Sequence, residues 1–145
     1  MPELTLTYKT HTYSTGIQGR AISSARTNHY VTDDAGGEAM TSGEMFLNGV
    51  GACGVNMMSR IARAEGIPLD WLDVVVQAYR DTSKPVGDVT VFDKIDIQVQ
   101  LWGLVHDQAE YLVAQWKRRC PLYGSVAVAT PDTRVAWTST DQRFR

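Results

Sequence analysis

The chain has 145 residues, of which 43% are apolar and 21% are charged, and its formal net charge is −2. A chain of this length can bury a core of its own, and this balance excludes disordered proteins and strongly basic nucleic-acid-binding proteins. It contains neither a long apolar run that could cross a membrane nor a basic segment followed by an apolar one. We therefore expect a single cytoplasmic domain over residues 1–145.

Alternating side chains predict three short strands near the N-terminus. Residues 4–9 alternate Leu4, Leu6 and Tyr8 with polar residues, which is the period of a half-buried strand. Two further strands are predicted at 17–24 and 27–33, separated by small polar residues. The segment Asp33-Asp34-Ala35-Gly36-Gly37 predicts the turn that follows them.

A capping pair predicts the start of a long helix. Thr41 precedes Glu44 by three residues, which is the spacing of a capping box, directly before an apolar run. The helix should end at Gly66 and Pro68 after about 24 residues. Its predicted buried face carries residues spaced by three and four: Phe46, Gly49, Val50, Cys53, Met57 and Ile61.

Two glycines in this helix require an explanation. Gly49 and Gly51 each lower helix propensity by about 1 kcal/mol relative to alanine. We expect another backbone to approach closely at these two positions.

The second half of the chain predicts strands at 71–81 and 89–102, the latter with a clean alternation of apolar and polar residues. Asp107 and Glu110 form a second capping pair and predict a helix that leads to Cys120.

Cys120 is followed by Pro121, so it is expected to cap a new short helical turn through residue 126. A final hairpin is predicted from 126–129 and 134–139, turned by Thr130-Pro131-Asp132.

Cys53 and Cys120 are the only cysteines, and three interpretations of them compete. A structural disulfide would contribute roughly 4 kcal/mol by constraining the unfolded chain. Alternatively, both are ordinary core residues, or they form a redox pair, which needs nearby cations to hold a thiolate. Arg20 and Arg26 are the candidate cations for Cys53, although a solvated strand residue is the simplest role for Arg20.

No metal site or cofactor is expected. The three histidines are scattered and the two cysteines are 67 residues apart, so the close pairs typical of zinc sites do not occur.

Four segments in their order resemble the OsmC/Ohr superfamily, over roughly residues 15–138 of the chain. They are the Asp33–Gly37 turn, GEMFLNGVGAC in the helix, IPLDWLDVVVQAYRD in the strand after it, and KRRCP at the end of a later helix. The most specific parts are the helical cysteine with a glutamate nine residues before it and the second cysteine followed by proline.

The resemblance implies an α+β fold, with antiparallel sheets packed on a long central helix in an intertwined homodimer. It also implies thiol-dependent reduction of organic hydroperoxides, and possibly of hydrogen peroxide, in defence against oxidative stress. Cys53 would attack the peroxide and become a sulfenic acid, Cys120 would resolve it, and a dithiol reductant would restore both thiols.

The same resemblance assigns the supporting residues. The apolar helix face with Phe46, Val50 and Met57 would hold an alkyl peroxide, with Arg20 as a further substrate-binding residue. Arg26 fits an arginine that precedes the turn in some branches, and it is the expected partner of the Cys53 thiolate.

Two positions depart from the organic-hydroperoxide branch. Gln18 stands where that branch carries its catalytic arginine, and Gly43 stands where peroxidases carry the carboxylate that orients it. Glu44 is one position later, about 100° around the helix, so it either orients the arginine or only caps the helix. A dimeric binding protein without efficient peroxide turnover is therefore the alternative to the enzyme.

Overall fold

A computed structural model describes residues 1–85 and 90–145 of the chain. The described chain divides into two units, Met1–Phe46 and Leu47–Arg145. The architecture is mixed α+β, with a three-stranded sheet in each unit. No helix in the described part of the chain is long and apolar enough to cross a membrane.

The sheet of the first unit is antiparallel in the order β1-β2-β3, formed by β1 (His11–Ser14), β2 (Ala21–Ala25) and β3 (Asn28–Thr32). The predicted strand from residue 17 begins only at Ala21. Gly16 and Gly19 have positive φ angles of 83° and 79°, so the segment between β1 and β2 turns instead of extending.

The predicted strand over residues 4–9 is wrong. Residues 1–10 have no regular secondary structure, and Leu4, Leu6 and Tyr8 are 91%, 78% and 72% exposed. Alternation indicates a strand only where a neighbouring strand and a buried face are available, and no described residue pairs with this segment.

The capped helix is present as α1 (Ser42–Glu65), with the predicted 24 residues. Its capping box forms as expected: the Thr41 N–H donates to Oε2 of Glu44 at 2.7 Å, and the Glu44 N–H donates to Oγ1 of Thr41 at 3.2 Å. Side chains of α1 that are buried in the second unit include Val50, Met57, Met58 and Ile61.

The predicted buried face of α1 needs two corrections. Phe46 is 51% exposed, and Cys53 is half-buried. Gly54, which the spacing argument left out, is buried. The buried stripe is therefore rotated toward Gly54 and Met58 because the core beneath the helix is centred there.

The sheet of the second unit contains β4 (Trp71–Tyr79), β5 (Lys94–Trp102) and β6 (Thr133–Thr140), with β5 in the middle. The alternation predicted for β5 is confirmed, since its apolar positions are at most 1% exposed: Ile95, Ile97, Val99 and Leu101. The predicted start of this strand at residue 89 lies outside the described residues, and β5 begins at Lys94.

The final hairpin and the expectation of purely antiparallel sheets are wrong. Residues 126–129 belong to α3 (Pro121–Ala129), and β6 pairs in parallel with β5. A four-residue apolar run does not distinguish a strand from a helical turn, and here the proline-started helix continues through it.

The helix before Cys120 is α2 (His106–Arg119), but the Asp107/Glu110 pair does not cap it. The N-cap residue is Val105, whose N–H donates to Oε1 of Gln108 at 3.3 Å. The helix thus begins one residue before Asp107, at His106. The carboxylate of Asp107 therefore lies in the first turn, where its negative charge interacts favourably with the helix dipole.

Candidate functional site

Cys53 and Cys120 form a disulfide bond within the second unit, with their Cα atoms 6.8 Å apart. This separation lies in the range that disulfides span, as the sequence-based assignment of the pair requires. Cys120 is 3% exposed, whereas Cys53 on α1 is half-buried. Cys120 is therefore the more deeply buried residue of the pair.

Cys120 joins two helices. Its N–H donates to the carbonyl oxygen of Trp116 at 2.9 Å and completes the last turn of α2. Its Sγ accepts the N–H of Tyr123 at 3.4 Å at the start of α3, where Pro121 occupies the first turn. The predicted capping role of Cys120 is confirmed, and the helix it caps extends to Ala129.

The indole ring of Trp116 packs against Gly54, the residue after Cys53. A Cβ placed on Gly54 would lie 3.2 Å from Cε2 of Trp116, which is tighter than ordinary contact. Trp116 is completely buried, and its Nε1 has no hydrogen-bond partner among the described residues. Sequence periodicity missed this contact because it joins residues that are distant along the chain.

The predicted backbone approach does not occur at Gly49, where the only described atom within 4 Å of an added Cβ, its chain neighbours and the backbone of α1 aside, is Cδ2 of Leu122 at 3.6 Å. At Gly51 a backbone does approach: an added Cβ would lie 3.9 Å from the carbonyl oxygen of Val74, and 3.7 Å from the side chain of Val76. All of these are ordinary van der Waals distances. Gly49 matters for a different reason: side chains on a helix lean toward the preceding turn, which for Cys53 is the turn with residues 49 and 50.

Arg20 is paired, so it is not the solvated strand residue that its sequence context favours. Its Nε donates to Oδ1 of Asp33 at 2.6 Å, and its Nη2 donates to Oδ2 at 2.8 Å. The guanidinium holds the pKa of the Asp33 carboxyl well below its usual range, assisted by the N–H of Ala39. The sequence pattern predicts Asp33 only as part of the turn over residues 33–37, and it gives no sign of this ion pair.

The other two charged candidates also lie in the first unit. Arg26 is exposed at the turn between β2 and β3 and has a φ angle of 56°, which is uncommon for a side chain of this size. Oε2 of Glu44 is engaged by the N–H and the hydroxyl of Thr41. The pairing of Arg26 with Cys53 stays a prediction.

Among the described residues, His106, Asp107 and Glu110 form a group whose ligand atoms lie within 4.8 Å of one another. All three are exposed near the start of α2, at the opposite end of that helix from Cys120. Exposed groups of this kind are common without an ion, and none of the contacts described for residues 1–85 and 90–145 joins this group to the disulfide.

The family model described as OsmC-like protein matches residues 35–134, which include both cysteines and more than half of the chain. No curated protein sequence matches the chain.

Several solved structures share the fold. An OsmC-like protein from Mycoplasma pneumoniae superposes with a TM-score of 0.79 at 13% identity, over 94% of this chain and 98% of that one. The organic hydroperoxide resistance protein OsmC from Legionella pneumophila gives 0.65 at 16% identity, over 95% and 99%. OhrB of Bacillus subtilis, also an organic hydroperoxide resistance protein, gives 0.63 at 18% identity, over 93% and 98%.

Proposed function

The chain belongs to the OsmC-like protein family, and on this premise we propose that it reduces organic hydroperoxides through Cys53 and Cys120. The observation that carries the proposal is the disulfide between these two residues. It is the product that a two-cysteine peroxide reduction leaves behind. The names of two structural neighbours, both organic hydroperoxide resistance proteins, support the substrate class.

The proposed reaction has three steps. The Cys53 thiolate attacks one peroxide oxygen, the O–O bond breaks, and the alkoxide leaves and takes up a proton as the alcohol. The Cys120 thiolate then attacks the resulting sulfenic acid, which forms the disulfide and releases hydroxide, protonated to water. A dithiol reductant reduces the disulfide and returns both thiols.

The supporting roles belong to the same proposal. Arg26 stabilises the Cys53 thiolate, Glu44 orients that arginine, and Arg20 contributes to substrate binding. The apolar face of α1 with Phe46, Val50 and Met57 holds an alkyl peroxide; Val50 and Met57 are 1% and 9% exposed and belong to the core, so Phe46, at 51%, is the member that offers exposed apolar surface. No metal or cofactor takes part, because sulfur supplies both electrons.

We further propose a homodimer with an interface above about 2,000 Å², typical of permanent dimers, in a cytoplasmic protein. The exposed apolar residues Leu4, Leu6 and Tyr8 support this, because a partner chain would remove their side chains from water. Sedimentation velocity at micromolar concentration measures the oligomeric state, and a folded monomer there would contradict the dimer.

A second candidate function is a dimeric binding protein without efficient peroxide turnover. The observation that favours it is the engagement of Glu44 in the capping box, together with the glycine at position 43. In that case no carboxylate would be available to orient an arginine toward the thiol.

Turnover separates these two functions. Purified protein should consume cumene hydroperoxide in the presence of a dithiol such as dihydrolipoamide, and Cys53→Ser should abolish this consumption. Cys120→Ser should slow it strongly. Turnover that is equal in wild type and in both variants would exclude the cysteine mechanism.

A further inference from the structure

We infer that the reductant attacks the sulfur of Cys53 and that Cys120 leaves as the thiolate whenever the disulfide is reduced. The inference rests on the proposed function, since it concerns the step that regenerates the thiols. It assigns unequal roles to two sulfur atoms that are chemically equivalent in the bond. Three features of the second unit carry it.

The first feature is access. A thiolate must approach one sulfur from the side opposite the sulfur that leaves, so the attacked sulfur must be open to solvent. Cys120 is 3% exposed, and it lies between two helices. Cys53 is the less buried of the two residues in the single chain, and the proposed function already requires that a peroxide from solution reach it, so a small thiol can reach it by the same path.

The second feature is the gap next to Cys53. On a helix a side chain leans toward the preceding turn, and for Cys53 that turn contains Gly49, which has no side chain of its own. Among the described residues, Leu122 alone comes within 4 Å of a Cβ placed on Gly49, its two chain neighbours and the backbone of α1 aside. A side chain larger than a methyl group at position 49 would narrow the approach to Cys53.

The third feature is the stabilisation of the leaving group. The Cys120 sulfur occupies the N-cap of α3, a helix of nine residues, and accepts the N–H of Tyr123 at 3.4 Å. A helix N-terminus and a backbone N–H both favour a thiolate there. Cys53 lies near the middle of α1, where the helix itself uses the backbone N–H groups. The C-terminal end of α2 and the burial of Cys120 oppose a negative charge there, but the departing Cys120 thiolate keeps a backbone N–H donor that Cys53 lacks, so access and hydrogen bonding select the same direction.

Reduction of the disulfide takes two consecutive thiol–disulfide exchanges. One thiolate of the dithiol forms a bond to Sγ of Cys53, the Cys53–Cys120 bond breaks, and its electron pair stays on Sγ of Cys120. The second thiolate of the reductant then attacks the reductant sulfur in this mixed disulfide. The reductant closes as a cyclic disulfide, and Cys53 leaves as a thiolate.

The direction can be read directly from the trapped intermediate. The oxidised wild-type protein is mixed with the monothiol 2-mercaptoethanol and quenched after milliseconds to seconds with excess N-ethylmaleimide, and its peptides are mapped by mass spectrometry. We expect mercaptoethanol on Cys53 and maleimide on Cys120 in at least about tenfold excess over the reverse pattern. Equal amounts of the two patterns, or an excess of the reverse, would overturn the inference.

A pair of variants tests the approach to Cys53. Gly49→Leu should slow the reduction of the disulfide by 2-mercaptoethanol at least about tenfold. Ser59→Leu, on an exposed position of the same helix, should leave the rate unchanged. Circular dichroism verifies that both variants keep their helix content. An unchanged rate in Gly49→Leu would show that attack does not pass over residue 49 and would count against Cys53 as the entry sulfur.

These results are independent of peroxide turnover, because the experiment starts from the disulfide and uses a simple thiol. A reversed adduct pattern with normal peroxide consumption would contradict only the direction of reduction. The expected pattern without any peroxide consumption would contradict the proposed function and leave the direction intact.

Discussion

The guanidinium of Arg20 holds both oxygens of the Asp33 carboxylate, with Nε–Oδ1 and Nη2–Oδ2 distances of 2.6 and 2.8 Å. This two-point contact ties the residue before β2 to the residue after β3. The Asp33 side chain is 7% exposed and also accepts the N–H of Ala39. The pair is therefore a structural link in the first unit, and its loss should be visible in stability.

The pH dependence of that link has a definite sign. The pKa of Asp33 is lower in the folded chain than the value of about 4 expected in the unfolded chain. Its contribution to stability is thus present above about pH 4 and is lost as the pH falls, because the unfolded chain binds the proton first. Asp33→Asn should lower the melting temperature at pH 7, and this deficit should shrink toward pH 2. Asp34→Asn, at an exposed position, is the control, and a deficit that is independent of pH would contradict the assignment.

Substitution by alanine should change the free energy of unfolding in opposite directions at two glycines of α1. Gly49→Ala should raise the free energy of unfolding by about 0.5–1 kcal/mol, because a Cβ there makes only an ordinary contact with Leu122. Gly54→Ala should lower it by about 1–3 kcal/mol, because the new methyl group would press on the rigid ring of Trp116. Urea denaturation measures both changes. The account of the α1 packing fails if Gly54→Ala proves the more stable of the two.

Substitutions at Glu44 should separate capping from catalysis. Glu44→Ala removes the acceptor for the Thr41 N–H and should cost about 0.5–1 kcal/mol of stability. Glu44→Gln keeps an amide oxygen in that position and should leave the melting temperature nearly unchanged. If the carboxylate also orients the arginine, Glu44→Gln should weaken peroxide reduction at full stability. Full activity in a stable Glu44→Gln variant would restrict this residue to capping.

The role of Arg26 can be measured in a Cys120→Ser background, where Cys53 is the only thiol. If Arg26 stabilises the thiolate, alkylation of Cys53 should show a midpoint about two pH units below the value of about 8.5 for a free thiol. Arg26→Met should return the midpoint to about 8.5, and Arg26→Lys should keep part of the shift because it keeps the charge. A midpoint near 8.5 that Arg26→Met leaves unchanged would favour the binding-protein alternative.

Local signals were sufficient for part of this structure. The start of α1 follows from Thr41 and Glu44, and the cap of α3 follows from Cys120 and Pro121, because these bonds form between residues three positions apart or fewer. The β5 strand follows from its alternation because one of its faces is buried and the other is partly exposed. The assignment of the two cysteines to one site came from the resemblance, since spacing alone left three interpretations open.

The remaining features depend on contacts between distant residues, which no short pattern encodes. Arg20 and Asp33 are 13 residues apart, and the contact of Gly54 with Trp116 spans two helices. The failures at residues 4–9 and 126–129 have the same origin. Alternation without a partner strand and a short apolar run without a defined neighbour are each compatible with more than one structure.

The most direct test of the central claim is a thiol titration of the fully reduced protein before and after one equivalent of cumene hydroperoxide. If Cys53 and Cys120 form the redox pair, two thiols per chain should disappear and one equivalent of cumyl alcohol should form. Peptide mapping should then recover the Cys53–Cys120 bond within single chains. Two thiols that persist after the peroxide addition, or disulfides that link only separate chains, would contradict the claim.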